Sequence, residues 1–263
     1  MRQGDDTRAA DGEHHGMPFL HGPWRSLAAV PILVIVAVFG GLGSGGDSST
    51  RGGVPLAGGA AAVQRQFTKV VAHVSPKVVQ VQTSNGLGSG IVYDDKGDIV
   101  TNAHVTGKAK RFLVTLASGE HRTATLVGAD RANDLAVVRI SGNSPAPAAF
   151  ADSSSVQPGE IVFAIGNPLG LQSSVTQGIV SSINRKVSEG NGVALSNVLQ
   201  TSAEINPGNS GGALVDLTGR VVGIPTLAAL DPELGDTQAA GIGFAIPSNK
   251  LRQVANLLIS DGT

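Results

Sequence analysis

From Val78 onward the chain breaks into short β-branched apolar runs separated by turn residues. They are VVQVQT, SGIVYD, DIVTNA, RFLVTLA, ATLVGA and LAVVRI, then a Pro–Ala hinge at 144–149, then IVFAIG, SSVTQGIVSSI, VLQTSA, GALVDL, RVVGIPT and GIGFAIP. The runs recur every ~8 to 15 residues with no long helical stretch between them, which predicts antiparallel barrels or sandwiches rather than βαβ units. Two β-rich halves are expected, about 78–143 and 158–247, with hairpin turns at Lys96-Gly97 and Thr218-Gly219. Helical spacing of Val63, Phe67, Val70, Val71 and Val74 predicts an amphipathic helix ahead of the first half. A second helix is predicted over about 248–259, with Ser248 as N-cap and Leu251, Val254, Leu257 and Leu258 on its apolar face. The expected class is therefore all-β with short flanking helices.

Upstream the texture differs. Residues 1–26 are polar and without apolar periodicity, a flexible cytoplasmic tail. His14-His15 within it reads as solvated tail rather than a metal site. Leu27–Gly43 carries no charge and as a helix would extend about 25 Å, enough for one membrane anchor. Arg2, Arg8 and Arg25 precede it, so the N-terminus is expected inside and the bulk of the chain outside the cytoplasm. The alternative is a cleaved signal peptide and secretion, with Ala60-Ala61-Ala62 as the small-residue site. Residues 44–62 read as a Gly/Ser-rich linker, and Gly41–Gly46 matches the dinucleotide fingerprint G-x-G-x-x-G only formally, since no βαβ context surrounds it.

Composition narrows the chemistry. A net charge of -1 and only 15% charged residues leave no basic field for nucleic acid. The absence of cysteine removes thiol nucleophiles, thiolate metal sites and disulfides, and no cofactor or metal is expected. Asp94-Asp95-Lys96-Gly97-Asp98 lacks the alternating ligands of a calcium loop and reads as a hairpin.

The sharpest local feature is Pro207-Gly208-Asn209-Ser210-Gly211-Gly212. Glycines around a serine allow a tight turn that exposes Oγ and aligns successive N–H groups toward one side, where an oxyanion could sit. A Gly-rich hairpin is the plainer reading. The segment also fits G-x-S-x-G, but that fold runs serine, acid, histidine, and no histidine follows Ser210. The order acid, histidine, serine belongs to a parallel sheet that this pattern lacks. Histidine, acid, serine on two barrels remains. His104 stands where the run DIVTNA ends and a loop begins, a firm platform for a base, whereas His121 lies in a polar hairpin and His73 at a helix end. Asp134 abuts the buried run LAVVRI, which favours it over nearby Asp130 as the acid, with a turn cap as its alternative role.

The motifs TNAHV (101–105), NDLAVVRI (133–140), GNPLG (166–170), VTQGIVSS (175–182), NPGNSGG (206–212) and GIGFAIPSN (241–249) together resemble the HtrA/DegP-like serine proteases over roughly residues 75–250. The resemblance implies a chymotrypsin-like double six-stranded β-barrel over 63–263. It implies Ser210 as nucleophile, His104 as general base and acid, Asp134 as orienting acid, and an oxyanion hole from the N–H groups of Gly208, Ser210 and Asn209. It places the substrate pocket near Glu204, Ile205, Asn206 and Ile224, and flanking mobile loops at 169–176 and 223–237. Gly88-Ser89-Gly90 corresponds to a first-barrel strand turn with a structural role, Gly90 permitting close packing. Departures are also visible. About 14 residues follow the IPSN segment, so no PDZ domain is expected. Glu204 lies where a buried anion would favour a basic P1 residue, whereas the resemblance implies small aliphatic P1, the preferred expectation. Pro225 stiffens a segment that is more usually polar. Phe67 is the one aromatic in the leading helix, which makes a homotrimer a weak expectation, because family trimers meet through N-terminal aromatics.

The expected function is a membrane-anchored serine endopeptidase acting on polypeptides outside the cytoplasm, in quality control or processing. A non-catalytic or chaperone-like polypeptide-binding module on the same fold and an esterase are the competing readings.

Overall fold

A computed structural model describes residues 58–84, 86–167, 173–188, 194–206, 208–231 and 237–261, with backbone alone over 227–231 and 237–240. The expected tail, the anchor expected at 27–43 and most of the expected linker lie outside the described residues. Among the described residues no helix is long and apolar enough to cross a membrane. The leading helix α1 spans Gly58–Val74 and so takes in five residues that read as linker. The run Ala60-Ala61-Ala62, the strongest helix former available, carries the helix back past its amphipathic part.

Twelve strands follow in two closed six-stranded barrels. The first has the order β1-β2-β3-β6-β5-β4, from β1 (Val78–Gln82), β2 (Leu87–Val92), β3 (Asp98–Thr101), β4 (Arg111–Thr115), β5 (His121–Asp130) and β6 (Leu135–Ile140). The second has the order β10-β11-β12-β9-β8-β7. Its strands are β7 (Ile161–Gly166), β8 (Ser174–Ser188), β9 (Ala194–Thr201), β10 (Ala213–Val215), β11 (Val221–Asp231) and β12 (Thr237–Pro247). Between β3 and β4 sits the one-turn helix α2 (Ala103–Thr106), and the chain closes with α3 (Ser248–Asp261).

Paired apolar residues in the strands serve two cores at once. Val79, Val92, Ile99 and Val138 point into the first barrel, while their neighbours Val78, Ile91, Val100 and Val137 join a second cluster with α1, α3 and residues of the other barrel. Successive side chains of a strand face opposite ways, so a strand buried on both faces reads as a continuous apolar run. A third cluster, including Val162, Ala164, Val180, Leu199 and Leu214, fills the second barrel.

The predicted hairpins appear where expected, with Gly97 at φ +88° and Gly219 at φ +79°. Asp94 Oδ1 accepts the N–H groups of Lys96 and Asp98, so this carboxylate closes the turn, while Asp98 itself is fully buried and held by Arg139. Two side chains serve other ends than their sequence context predicted. Ser248 Oγ donates to Ala151 O at 2.8 Å, tying α3 to the segment between the barrels, and Leu257 is 55% exposed instead of packed. Phe67, half-buried, lies edge-on against Phe163 of the second barrel at 4.8 Å.

Candidate active site

Asp134 stands at the turn that delivers β6, with φ +51°, an unusual value for a residue with a β-carbon. Backbone in that region is retained where surrounding bonds over-determine it. Here Asn102 Nδ2 donates to Asp134 O at 3.0 Å, and Asp134, 3% exposed, has both carboxylate oxygens engaged. His104 N donates to Oδ1 at 2.9 Å, His104 Nδ1 lies 3.1 Å from Oδ1 and 2.9 Å from Oδ2, and Thr226 Oγ1 donates to Oδ2. His104 is the second residue of α2, directly after Asn102 in extended conformation, so the end of β3 sets both its backbone and its ring against the same carboxylate. A carboxylate on Nδ1 selects the tautomer that carries its proton there, leaving Nε2 as proton acceptor.

The other titratable candidates are placed elsewhere. Asp130 caps its own turn, accepting from Asn133 N at 3.1 Å and Asn133 Nδ2 at 2.6 Å. His121 pairs with Thr115 Oγ1 at 3.0 Å in the β4–β5 hairpin, and His73 Nε2 lies 2.8 Å from Lys77 Nζ beside α1.

Ser210 reaches this group from the second barrel, in the turn between β9 and β10. Its Oγ donates to Thr226 O at 3.4 Å, and Thr226 in β11 is the residue whose hydroxyl holds Asp134. Thr226 therefore bridges the acid of the first barrel and the serine of the second. In the run RVVGIPT a Thr looks like an ordinary strand residue; only its burial, at 2% exposure, shows that its hydroxyl must find a partner within the fold.

The loop around Ser210 is built by close backbone approach. Gly208 has φ +105° and Gly211 φ +82°, and a β-carbon on Gly211 would lie 2.2 Å from Ser89 O. Glycine is the residue that meets both demands. The N–H of Asn209 donates to Asn206 O at 3.0 Å, so this donor, which the resemblance assigned to an oxyanion hole, is committed to the turn.

The residues named for the pocket divide. Glu204 is exposed, and its carbonyl accepts from Thr176 Oγ1 at 2.7 Å and Asn209 Nδ2 at 3.4 Å. Ile205 is 4% exposed and packs on Gly243, where a β-carbon would come within 2.4 Å of its Cγ1. Asn206 is half-buried beside the serine turn. Ile224 is fully buried in the core between barrels rather than on an open wall. Beside His104 a cleft of about 450 Å³ opens against Thr83, Gly86, Val105 and Lys108. The suggested loops at 169–176 and 223–237 fall partly outside the described residues.

The chain is similar to known proteins. The trypsin-like peptidase domain matches residues 88–224, just over half of the chain. The Do-like serine protease HtrB of Bacillus subtilis is 47% identical over 182 residues, covering 66% of this chain and 39% of the relative. The periplasmic serine endoprotease DegP of Escherichia coli is 43% identical over 185 residues, covering 70% and 38%. The chain thus spans well under half the length of these two relatives. A solved structure of the HtrA-type protease AlgW with tripeptide superposes at TM-score 0.68 with 36% identity, covering 75% of this chain and 64% of that one. With the double barrel, the motif-bearing loops and the family match in agreement, the chain belongs to the trypsin-like peptidase family, and within it is similar to the HtrA-type serine proteases.

Proposed function

We propose that this protein is a serine endopeptidase that cleaves polypeptides through an acyl-enzyme, with Ser210 as nucleophile, His104 as base and then acid, and Asp134 as the orienting carboxylate. The observation that carries the reading is the two-pronged hold of Asp134 on His104, extended through Thr226 to Ser210. Removal of the Ser210 proton by His104 Nε2 lets Oγ attack the scissile carbonyl, and the imidazolium so formed is stabilised by the buried Asp134. The developing oxyanion is received by the N–H groups of Gly208 and Ser210, each donor contributing about 2.7–4 kcal/mol to the transition state by analogy with a measured protease. His104 then returns its proton to the leaving amine, and water repeats the sequence on the ester.

The exposure of Glu204 supports small aliphatic P1 residues, since a solvated carboxylate gives little preference for a basic side chain. An extracytoplasmic location, by anchor or after export, accords with the apolar run 27–43 and with the periplasmic relative. The test is cleavage of casein and labelling by a fluorophosphonate, both lost in Ser210→Ala. A wild-type protein that is folded, unlabelled and inactive but still binds polypeptide sinks the enzymatic reading in favour of a binding module.

A further inference from the structure

We infer that Ser89 is a positioning residue for the oxyanion loop, an assignment that rests on the protease reading above. The resemblance makes Gly88-Ser89-Gly90 a strand turn with a structural role, and the structure places it inside β2. Ser89 is fully buried against the other barrel and uses every polar atom it has. Its Oγ donates to Gly208 O at 2.5 Å and accepts the Asn167 N–H at 2.8 Å. Its N–H donates to Ser210 O at 2.9 Å, and its carbonyl accepts from Thr101 Oγ1 at 2.6 Å.

The consequence appears when the bonds are sorted by peptide unit. In the unit joining Gly208 to Asn209, the carbonyl is held by Ser89 Oγ and the N–H by Asn206 O. In the unit joining Ser210 to Gly211, the carbonyl is held by Ser89 N and the N–H by Pro225 O at 3.1 Å. The unit between them has its carbonyl, Asn209 O, held by the Gly212 N–H at 2.9 Å. None of these bonds uses the N–H of Ser210. Three consecutive peptide planes are thereby fixed, two of them by one residue of the opposite barrel, and the fixed planes aim the donor of Ser210. Gly208, at φ +105°, has no side chain to hold its plane, so the bond to its carbonyl substitutes for intrinsic stiffness. Through Thr101, three residues before His104, Ser89 also joins the strand that carries the base. Donors that stabilise a transition state must be aimed before charge develops, so a slackened loop lowers the rate more than it weakens substrate binding.

The experiment compares Ser89→Ala with Thr115→Ala, which removes another buried hydroxyl of the same barrel, bonded to Gln80 and His121 and away from the serine loop. Active enzyme is counted by fluorophosphonate titration, and kcat and KM are measured on a peptide that the wild type cleaves. Ser89→Ala is expected to lower kcat by about 10–100-fold with KM within about twofold, less than outright loss of an oxyanion donor. Thr115→Ala is expected to leave both constants within about twofold while losing comparable thermal stability. Ser89→Cys, which keeps the volume and a weak donor, should fall between wild type and Ser89→Ala, and it carries the comparison if the alanine variant does not fold. An unchanged kcat in Ser89→Ala, or an equal loss in Thr115→Ala, overturns the assignment. An inactive wild type instead removes the protease reading on which it rests.

Discussion

Thr226→Val isolates the bridge between the barrels. The substitution keeps the β-branched shape and the backbone carbonyl that accepts from Ser210, and deletes only the hydroxyl that donates to Asp134. Asp134 is 3% exposed, so no solvent is at hand to replace the lost donor. Among the described residues, the remaining partners of its carboxylate are the backbone and ring nitrogens of His104, both from the first barrel. A hydrogen bond to a charged group contributes about 1.5–3 kcal/mol, and at about 1.36 kcal/mol per decade this corresponds to a fall of about 10–100-fold if most of it is expressed in the transition state. The same loss acts on stability, lowering Tm by a few degrees for each kcal/mol in a domain of this size. The assay is kcat and KM on a peptide substrate, with active sites counted by fluorophosphonate labelling and folding checked by thermal melting. The expected signature is a lower kcat at nearly constant KM in a protein that still melts cooperatively. A kcat within twofold of wild type, or a loss confined to KM, would refute the claim that Thr226 supports the His104–Asp134 pair.

Other outcomes follow from particular contacts. Gly211→Ala must place a β-carbon 2.2 Å from Ser89 O at φ +82°, so activity should drop by at least ~100-fold with some loss of Tm; near-normal turnover would show the loop to be far more yielding than its packing implies. Arg139→Leu removes the two bonds of 2.7 and 2.8 Å that hold the fully buried Asp98; with Arg139 44% exposed, the expected cost in denaturant unfolding is about 3 kcal/mol, with kcat per active site unchanged. Asp152 has its carboxyl pulled down to about 2, first by the Ser154 hydroxyl, then by Asn249 and the Ser154 N–H. Its folded value lies below the ordinary 3.8, so the stabilisation is present above that pH and is lost as pH falls toward 2; the Tm gap between wild type and Asp152→Asn should narrow between pH 5 and pH 3, and a constant gap contradicts the assignment. Peptides with Val at P1 should be cleaved at least ~10 times faster than those with Arg, and Glu204→Gln should leave that ratio unchanged; a strong Arg preference that disappears in Glu204→Gln reverses the pocket assignment.

The order of short apolar runs and the two halves were legible in the sequence because they depend on local periodicity, and residue type and chain order put forward His104, Asp134 and Ser210 as candidates, of which the structure pairs His104 with Asp134. Even the doubled apolar positions, such as Val78-Val79 and Val137-Val138, carry a trace of barrels buried on both faces. The choice of Asp134 over Asp130 rested on an adjacent buried strand, and the structure separates them by where each carboxylate finds donors. What the sequence alone did not determine are the contacts across the barrel interface. Thr226 and Ser89 look like ordinary strand residues until folding sets them against Asp134, 92 positions from Thr226, and Gly208, 119 positions from Ser89. Ile224, by contrast, leaves the pocket for the core. Local pattern sets which faces are buried, whereas the partner of each buried polar atom is decided by the closure of two barrels against one another, since a donor removed from water must find its acceptor wherever the fold brings one.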